Sequence, residues 1–168
     1  MSPSSDDPIE PLTTEILTLL SKVTERLEPD NTGMKQWMTE NFGNPALAEL
    51  LQDTTIMGLR VLNAIGHLEP VNGITVSKKF HIPKGSVSKT TRRLIANKLI
   101  TQEALPNNKK EVLFRLTPLG KELFEAHRAF DQQMEKGFVR FLRKYQPDEL
   151  RFIARLLQDI SEVSFLTP

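Results

Sequence analysis

The chain has 168 residues and a formal net charge of +1 at pH 7, and no apolar run approaches the roughly 20 residues needed to cross a bilayer. Its length predicts one compact domain, or a small domain with appended helices. Because the chain contains no cysteine, disulfides, thiolate metal sites and cysteine nucleophiles are excluded, and a cytoplasmic location is expected. No two of its three histidines share a predicted helical face with a nearby carboxylate, so we expect neither a metal nor a cofactor.

Positive charge is concentrated in one segment of the chain. Residues 75–115 contain ten Lys or Arg and two acids, a net charge of +8, whereas the remaining residues have a net charge of −7. Such asymmetry is typical of a nucleic-acid-binding element in an acidic scaffold. A solvated basic face is the alternative interpretation, and charge alone does not exclude it.

Helical periodicity marks the first third of the chain. Residues 1–8 lack the basic cluster and apolar core of a targeting signal and are expected to form a flexible tail. Apolar residues spaced three and four apart predict an amphipathic helix from Ile9 to Leu27. A connection follows with a short helix within 34–42 and a second helix capped by Asn44, with Pro45 as its first residue. The next apolar helix begins at Thr55 and ends before Pro70.

A helix-turn-helix pattern begins at residue 72. We predict a short helix that follows its cap residue Asn72 and runs to Phe80, a turn over 81–84, and a longer helix from about Gly85 to Leu99. Apolar residues at set positions would lock the two helices at a fixed angle; they are Val76, Phe80, Ile82, Val87 and Leu94. The outward face of the second helix carries donors and positive charges that suit phosphates and the edge of guanine; they are Lys84, Ser86, Ser88, Lys89, Arg92 and Arg93. Ordinary helical hairpins share this apolar spacing, so the pattern alone leaves both interpretations open.

Two predicted strands follow, 100–105 and 111–117, and the polar residues between them indicate a β-hairpin with Lys109 and Lys110 near its tip. A helix pair followed by a basic hairpin is typical of a winged helix, whose wing can reach the adjacent minor groove or its phosphates. The combination predicts double-stranded DNA as the partner. A long helix from Pro118 toward Tyr145 and a last helix that begins at Pro147 complete the chain.

Residues 76–122, VSKKFHIPKGSVSKTTRRLIANKLITQEALPNNKKEVLFRLTPLGKE, resemble the winged-helix core of the multiple-antibiotic-resistance regulator (MarR) family. The LTPLG at 116–120 is similar to that family's junction between the wing and the next helix. The resemblance implies a homodimer held by the first helix and the last two helices. It also implies two recognition helices in successive major grooves about 34 Å apart, repression, and room for a small-molecule effector.

Three features depart from the family pattern. Asn108 and Lys110 stand where the wing usually has an Asp-x-Arg pair, and lysine lacks the planar fork of arginine. Lys98 replaces the glycine common at the end of the recognition helix, and we expect Asn97 to take the left-handed conformation and end the helix one residue early. The connection from residue 28 to residue 54 is longer than usual and is expected to shape a ligand pocket or widen the dimer interface.

Several residues have plainer interpretations beside functional ones. Trp37 is expected to pack in the core rather than line an effector pocket. Arg60 and His67 are expected on the surface, although they are candidates for holding an anionic effector. His81 would contact phosphate or cap its turn, and His127 is expected to be solvated. No phosphate loop, nucleophile elbow or carboxylate pair with a nearby base is present, so the chain is not expected to be an enzyme.

The predicted fold is mainly α with a small β-hairpin, a winged helix-turn-helix between N- and C-terminal dimerisation helices. The expected divisions are a tail (1–8), a dimerisation helix (9–28), an inserted connection with short helices (29–54), a DNA-binding lobe (55–117) and C-terminal dimerisation helices (118–168). The predicted function is that of a homodimeric, ligand-responsive repressor that binds a pseudo-palindromic operator and no membrane. The alternative is a winged-helix module that contacts an acidic protein without binding DNA.

Overall fold

The computed structural model describes residues 9–27, 31–105 and 108–164. Within these ranges the chain forms eight helices and three strands, which in chain order are α1 (Ile9–Leu27), α2 (Asn31–Asn41), α3 (Pro45–Asp53), α4 (Ile56–Leu68), β1 (Val71–Asn72), α5 (Gly73–Lys79), α6 (Lys84–Ala96), β2 (Ile100–Leu105), β3 (Asn108–Leu116), α7 (Pro118–Leu142) and α8 (Pro147–Glu162). The mainly helical class with a small sheet is confirmed. The tail expected over residues 1–8 lies outside the described residues.

The connection between α1 and α4 is a pair of helices with its own buried residues. The side chain of Asn44 accepts a hydrogen bond from the Ala46 backbone N–H at 3.1 Å, and Pro45 opens α3, as the sequence predicted. Helix α2 begins at Asn31, three residues before the expected start. Met38 and Leu51 are fully buried. These residues form part of the core, because burying apolar side chains is the main stabilising term in a domain of this size.

The core of the winged helix lies where α4, α5 and α6 pack together against the sheet. Helix α4 begins at Thr55, whose hydroxyl accepts from the Gly58 N–H at 3.0 Å. Six of its thirteen residues are buried, which makes α4 the central helix of the lobe. The predicted locking residues Val76, Ile82 and Val87 are all at most 2% exposed, whereas Phe80 is half-buried.

The sheet has three antiparallel strands in the order β1-β3-β2, one more than the predicted hairpin. Val71 and Asn72 pair with Phe114 and Leu113 of β3. A strand of two residues is too short to show the alternation of side chains that identifies a strand in sequence. Strand β1 is defined only by its pairing with β3. Strand β1 leads directly into α5, so it joins the wing to the helix-turn-helix.

The second strand of the wing begins three residues earlier than predicted. Leu105 pairs with Asn108, so the strands are joined at residues 106–107, which lie outside the described residues. Asn108, Lys109 and Lys110 therefore belong to β3 rather than to a five-residue turn. Their polarity suggested a loop, but a wing strand needs to bury only one face, and polar residues are compatible with that.

The end of α6 corrects a further expectation. Asn97 keeps an ordinary φ of −80°, and Lys98 takes the left-handed conformation at φ 57°. The Lys98 N–H donates to the Ile95 carbonyl and the Leu99 N–H to the Leu94 carbonyl, both at 2.9 Å. This is a Schellman ending, in which the position after the cap must be left-handed. Lysine occupies that position because the buried Leu94 and Leu99 fix the turn around it.

Thr117 and Gly120 join the wing to α7. The Thr117 hydroxyl accepts from the Gly120 N–H at 3.0 Å and donates to the Lys98 carbonyl at 2.7 Å. A Cβ on Gly120 would lie 1.9 Å from the carbonyl oxygen of Leu99, so only glycine allows this approach of the two backbones. The junction thus ties the end of α6 to the first turn of α7.

The chain divides into two compact units, Met1–His127 and Arg128–Pro168. In the second unit, Phe138 stacks on Phe141 with ring centroids 6.3 Å apart, and Lys144 Nζ lies 4.0 Å from the Phe141 ring centroid. Helix α8 begins with a capping box formed by Gln146 and Glu149. In the described ranges, the helices lack the combination of length and apolar character that a bilayer crossing requires.

Candidate DNA-binding surface

The turn between α5 and α6 is fixed by hydrogen bonds. Ser77 Oγ donates to the Ile82 carbonyl at 2.7 Å, and the Ile82 N–H donates to the Ser77 carbonyl at 3.1 Å. Between them His81 takes a positive φ of 51°, a conformation that histidine adopts more readily than most residues. The small Ser77 side chain allows the two helices to approach closely, and the two hydrogen bonds with Ile82 hold the turn between them.

An exposed stripe runs along α6 on the side opposite its buried residues. Val87, Thr91 and Leu94 face the core. Lys89 and Arg92, three residues apart and hence neighbours on one helical face, are both exposed. Arg92 Nε donates to the Ser88 carbonyl at 3.2 Å within the same helix. These two cations lie at the centre of the exposed face of α6. We call the pair, Lys89 and Arg92, the reader stripe.

The other residues predicted on this face lie on its two sides. Lys84 and Ser88 line a groove of about 540 Å³ between α6 and the sheet, together with Glu111 and Phe114 of β3. Ser86 and Arg93 line the opposite edge beside the start of α4, in a cavity of about 240 Å³. The structure therefore brings all six predicted residues of α6 to one surface, but divides them between two flanks and a centre.

Arg93 has a protein partner. Its Nη2 donates to the backbone carbonyl of Asp53, the last residue of α3, at 3.0 Å. Arg115 of the wing is likewise engaged, since its Nε lies 3.3 Å from a carboxylate oxygen of Glu103 on β2. Both arginines remain exposed to solvent, but each is bonded to another element of the protein.

Asn72 makes a contact between the wing and the helix-turn-helix that the sequence alone did not predict. Asn72 caps α5 by accepting from the Thr75 N–H at 2.8 Å, and its Nδ2 donates to the Glu111 carboxylate of β3. The cap was predicted, but the second bond depends on the pairing of β1 with β3, which local sequence does not reveal. Asn72 therefore holds the wing strand against the start of the helix-turn-helix.

Four residues that the sequence left with two interpretations differ in their exposure. Arg60 and His67 are exposed, as expected, and His67 meets the ring of Phe124 edge to face with centroids 5.1 Å apart. Trp37 is only half-buried and tilts against Phe42. His127 is half-buried rather than solvated. Over the described residues, we find no group of three or more His, Asp or Glu side chains that could hold a metal ion.

Comparisons with known proteins agree with this geometry. The family model described as a winged helix DNA-binding domain matches residues 58–120, which run from α4 to the first turn of α7. The HTH-type transcriptional regulator YhjH of Bacillus subtilis is 35% identical over 106 residues, which are 63% of this chain. The chain spans only 61% of that relative's own length. The matched proteins are regulators rather than enzymes.

Two solved structures share the architecture. MarR of Staphylococcus aureus, in complex with salicylate and kanamycin, superposes with a TM-score of 0.60 at 21% identity and covers 92% of this chain and 93% of its own. The chain therefore has the MarR fold. FabT of Streptococcus pneumoniae, in complex with DNA, gives a TM-score of 0.65 at 16% identity, covering 89% of this chain and 95% of its own. The resemblance to the MarR family is therefore confirmed at the level of the fold.

In the terms of the MarR fold, α5 and α6 are the helix-turn-helix and β2 and β3 are the wing. Helix α6 is accordingly the second helix of this motif, and the reader stripe lies on its exposed face. The groove between α6 and β3 joins this face to the wing. The site is thus one continuous surface of two elements held together by Asn72.

Proposed function

We propose that this chain is a homodimeric transcriptional regulator of the MarR family that binds a pseudo-palindromic DNA operator through α6. The observation that carries the proposal is the reader stripe, Lys89 and Arg92, on the exposed face of a helix whose opposite face is buried. Exposed cations on a helix that can enter the major groove suit phosphates and the acceptor-rich edge of guanine. FabT, a protein of the same fold, has been solved in complex with DNA, which supports DNA as the ligand.

The proposed contacts fall into two sets. Lys89 and Arg92 take the centre of the groove, with Ser86, Ser88 and Lys84 toward its walls, since serine and lysine side chains donate to phosphate oxygens. Lys109 and Lys110 at the start of β3 would bring positive charge to the flanking backbone. Because lysine is a point charge without a planar fork, the wing should add affinity with little sequence preference.

Association with a second copy is proposed from the exposed apolar faces. In α1, Ile9, Leu12 and Leu17 are each more than half exposed, and so are Phe152 and Leu157 of α8. Exposed apolar patches of this extent mark interaction surfaces, and closed two-fold dimers are the commonest assembly of soluble proteins. The proposed dimerisation segments are residues 9–28 and 118–168, on either side of a DNA-binding lobe over 55–117 and the inserted pair of helices within 29–54.

The regulator would act as a ligand-responsive repressor in the cytoplasm, where it would meet its operator DNA. A dimer bound to its operator blocks polymerase, and a ligand that changes the spacing of the two lobes would misalign both recognition helices. The structure of MarR with salicylate and kanamycin supports a small-molecule effector for a protein of this fold.

The test is a titration of a duplex, selected from a random pool, at several salt concentrations. Wild-type binding should weaken linearly in log–log form as salt rises, because each phosphate contact releases a counterion. Lys89→Met with Arg92→Met should abolish binding with the fold unchanged, whereas Lys136→Met, which removes an exposed cation of α7, should not. Absence of salt-dependent binding by the wild type would leave the protein-interaction module as the better function.

A further inference from the structure

Helix α3, which the sequence placed in a connection, is bonded to α7 at its start and buried in the core along its length. Its cap residue Asn44 donates through Nδ2 to Glu122 of α7 at 2.6 Å. Along its length Leu47 and Leu51 are at most 1% exposed. At its C-terminus the Thr54 hydroxyl donates to the Leu50 carbonyl at 2.6 Å, and Thr54 itself is 3% exposed. The last carbonyls of α3 are thus at a fixed place in the lobe.

Asp53 offers a carbonyl that its own helix leaves without a donor. The last four carbonyls of a helix lack an intrahelical partner, and they carry the negative end of the helix dipole. The guanidinium of Arg93 fills this position with a charge-assisted hydrogen bond of 3.0 Å. Because Asp53 and Arg93 are 40 residues apart, the bond ties the recognition helix to a separate element.

Arg92 differs from Arg93 in what it contacts. Its hydrogen bonds to described residues go to Ser88 of the same helix, at 3.2 Å to the carbonyl and 3.4 Å to Oγ. These bonds keep Arg92 along the exposed face without tying it to another element. Arg93 follows it by one residue, about 100° around the helix, and lines the cavity beside Thr54 and Gly58.

We infer that Arg93 is a positioning residue rather than a DNA contact: it holds α6 against the C-terminus of α3, so that Lys89 and Arg92 meet the groove. The inference rests on the proposed function. It gives the α2–α3 pair a role, because without α3 the carbonyl that anchors Arg93 is missing. It also removes one cation from the expected set of phosphate contacts.

The experiment compares Arg93→Met with Arg92→Met, since methionine keeps most of the aliphatic stem and removes the charged head. Binding of the selected duplex is measured by fluorescence anisotropy at several KCl concentrations, and thermal unfolding of the free protein by circular dichroism. Arg92→Met should lower the salt slope by about 0.9 for each phosphate that is no longer neutralised, hence about 1.8 for a dimer. Arg93→Met should leave the slope unchanged, weaken binding up to about tenfold, and lower the unfolding midpoint.

Two results would overturn the inference: a salt slope in Arg93→Met that falls as much as in Arg92→Met, or an Arg93→Met protein with wild-type affinity and unfolding midpoint. Arg93→Lys, which keeps a donor for the Asp53 carbonyl, should restore part of the affinity and part of the unfolding midpoint, and a lysine variant no better than methionine would contradict the bond's role. A failure of the proposed function looks different, because the wild type would then show no salt-dependent binding.

Discussion

Gly120→Ala should destabilise the protein strongly, because the added side chain would overlap the backbone of a neighbouring segment. The added Cβ would lie 1.9 Å from the Leu99 carbonyl oxygen and 3.0 Å from its carbon. Carbon and oxygen need more than about 3 Å of separation, so the start of α7 must move away by roughly an ångström or more. Both contacts are with backbone, which cannot swing aside as a side chain would.

The displacement breaks the junction between α6 and α7. The hydrogen bonds at risk are Thr117 N–H to the Leu99 carbonyl at 3.0 Å and Thr117 Oγ1 to the Lys98 carbonyl at 2.7 Å. Each is worth about 1 kcal/mol, and overpacking adds roughly 1–3 kcal/mol. Alanine recovers about 1 kcal/mol of helix propensity. The free energy of unfolding should therefore fall by about 3 kcal/mol, which lowers the unfolding midpoint by roughly 6–12 °C for a chain of this size.

Urea denaturation followed by circular dichroism measures this change. Gly85→Ala is the matched control, because a Cβ on Gly85 would meet nothing within 4 Å, and its stability should stay within about 1 kcal/mol of the wild type. A decrease of under about 1 kcal/mol in Gly120→Ala, or equal decreases in the two variants, would refute the argument from backbone contact.

Three other variants test separate features of the fold and assembly. Lys98→Gly should raise the free energy of unfolding by about 1 kcal/mol, because glycine takes the left-handed conformation without strain; a destabilised variant in thermal unfolding would contradict the assigned strain. Asn72→Ala should lower the free energy of unfolding by about 2 kcal/mol, since it removes the cap and the bond to Glu111, and Asn72→Ser, which can still cap α5, should recover about half in urea denaturation. Leu17→Asp should convert the dimer to a monomer in sedimentation at micromolar concentration, because it places a charge on the exposed apolar face of α1. Ile74→Asp is the control, since Ile74 is similarly exposed but lies in the proposed DNA-binding lobe, and this variant should stay dimeric. A monomeric wild type would refute the proposed assembly.

The sequence by itself determined the elements that depend on nearby residues. Helix caps at Asn44 and Asn72 are read from one side chain and the turn that follows it, and both are found in the structure. The reader stripe follows from helical periodicity and charge in the same way. Such features are local because both partners of each interaction lie within about one helical turn of each other.

The tertiary structure alone decided what depends on residues far apart in the chain. Strand β1 exists because β3 pairs with it, and Lys98 takes the left-handed position because Leu94 and Leu99 are buried around it. Arg92 and Arg93 are identical side chains on adjacent positions, and the sequence grouped them together. They differ because the end of α3 lies beside Arg93 and not beside Arg92. Arg93 and its partner Asp53 are 40 residues apart, and helical periodicity predicts contacts only between residues close together in the chain.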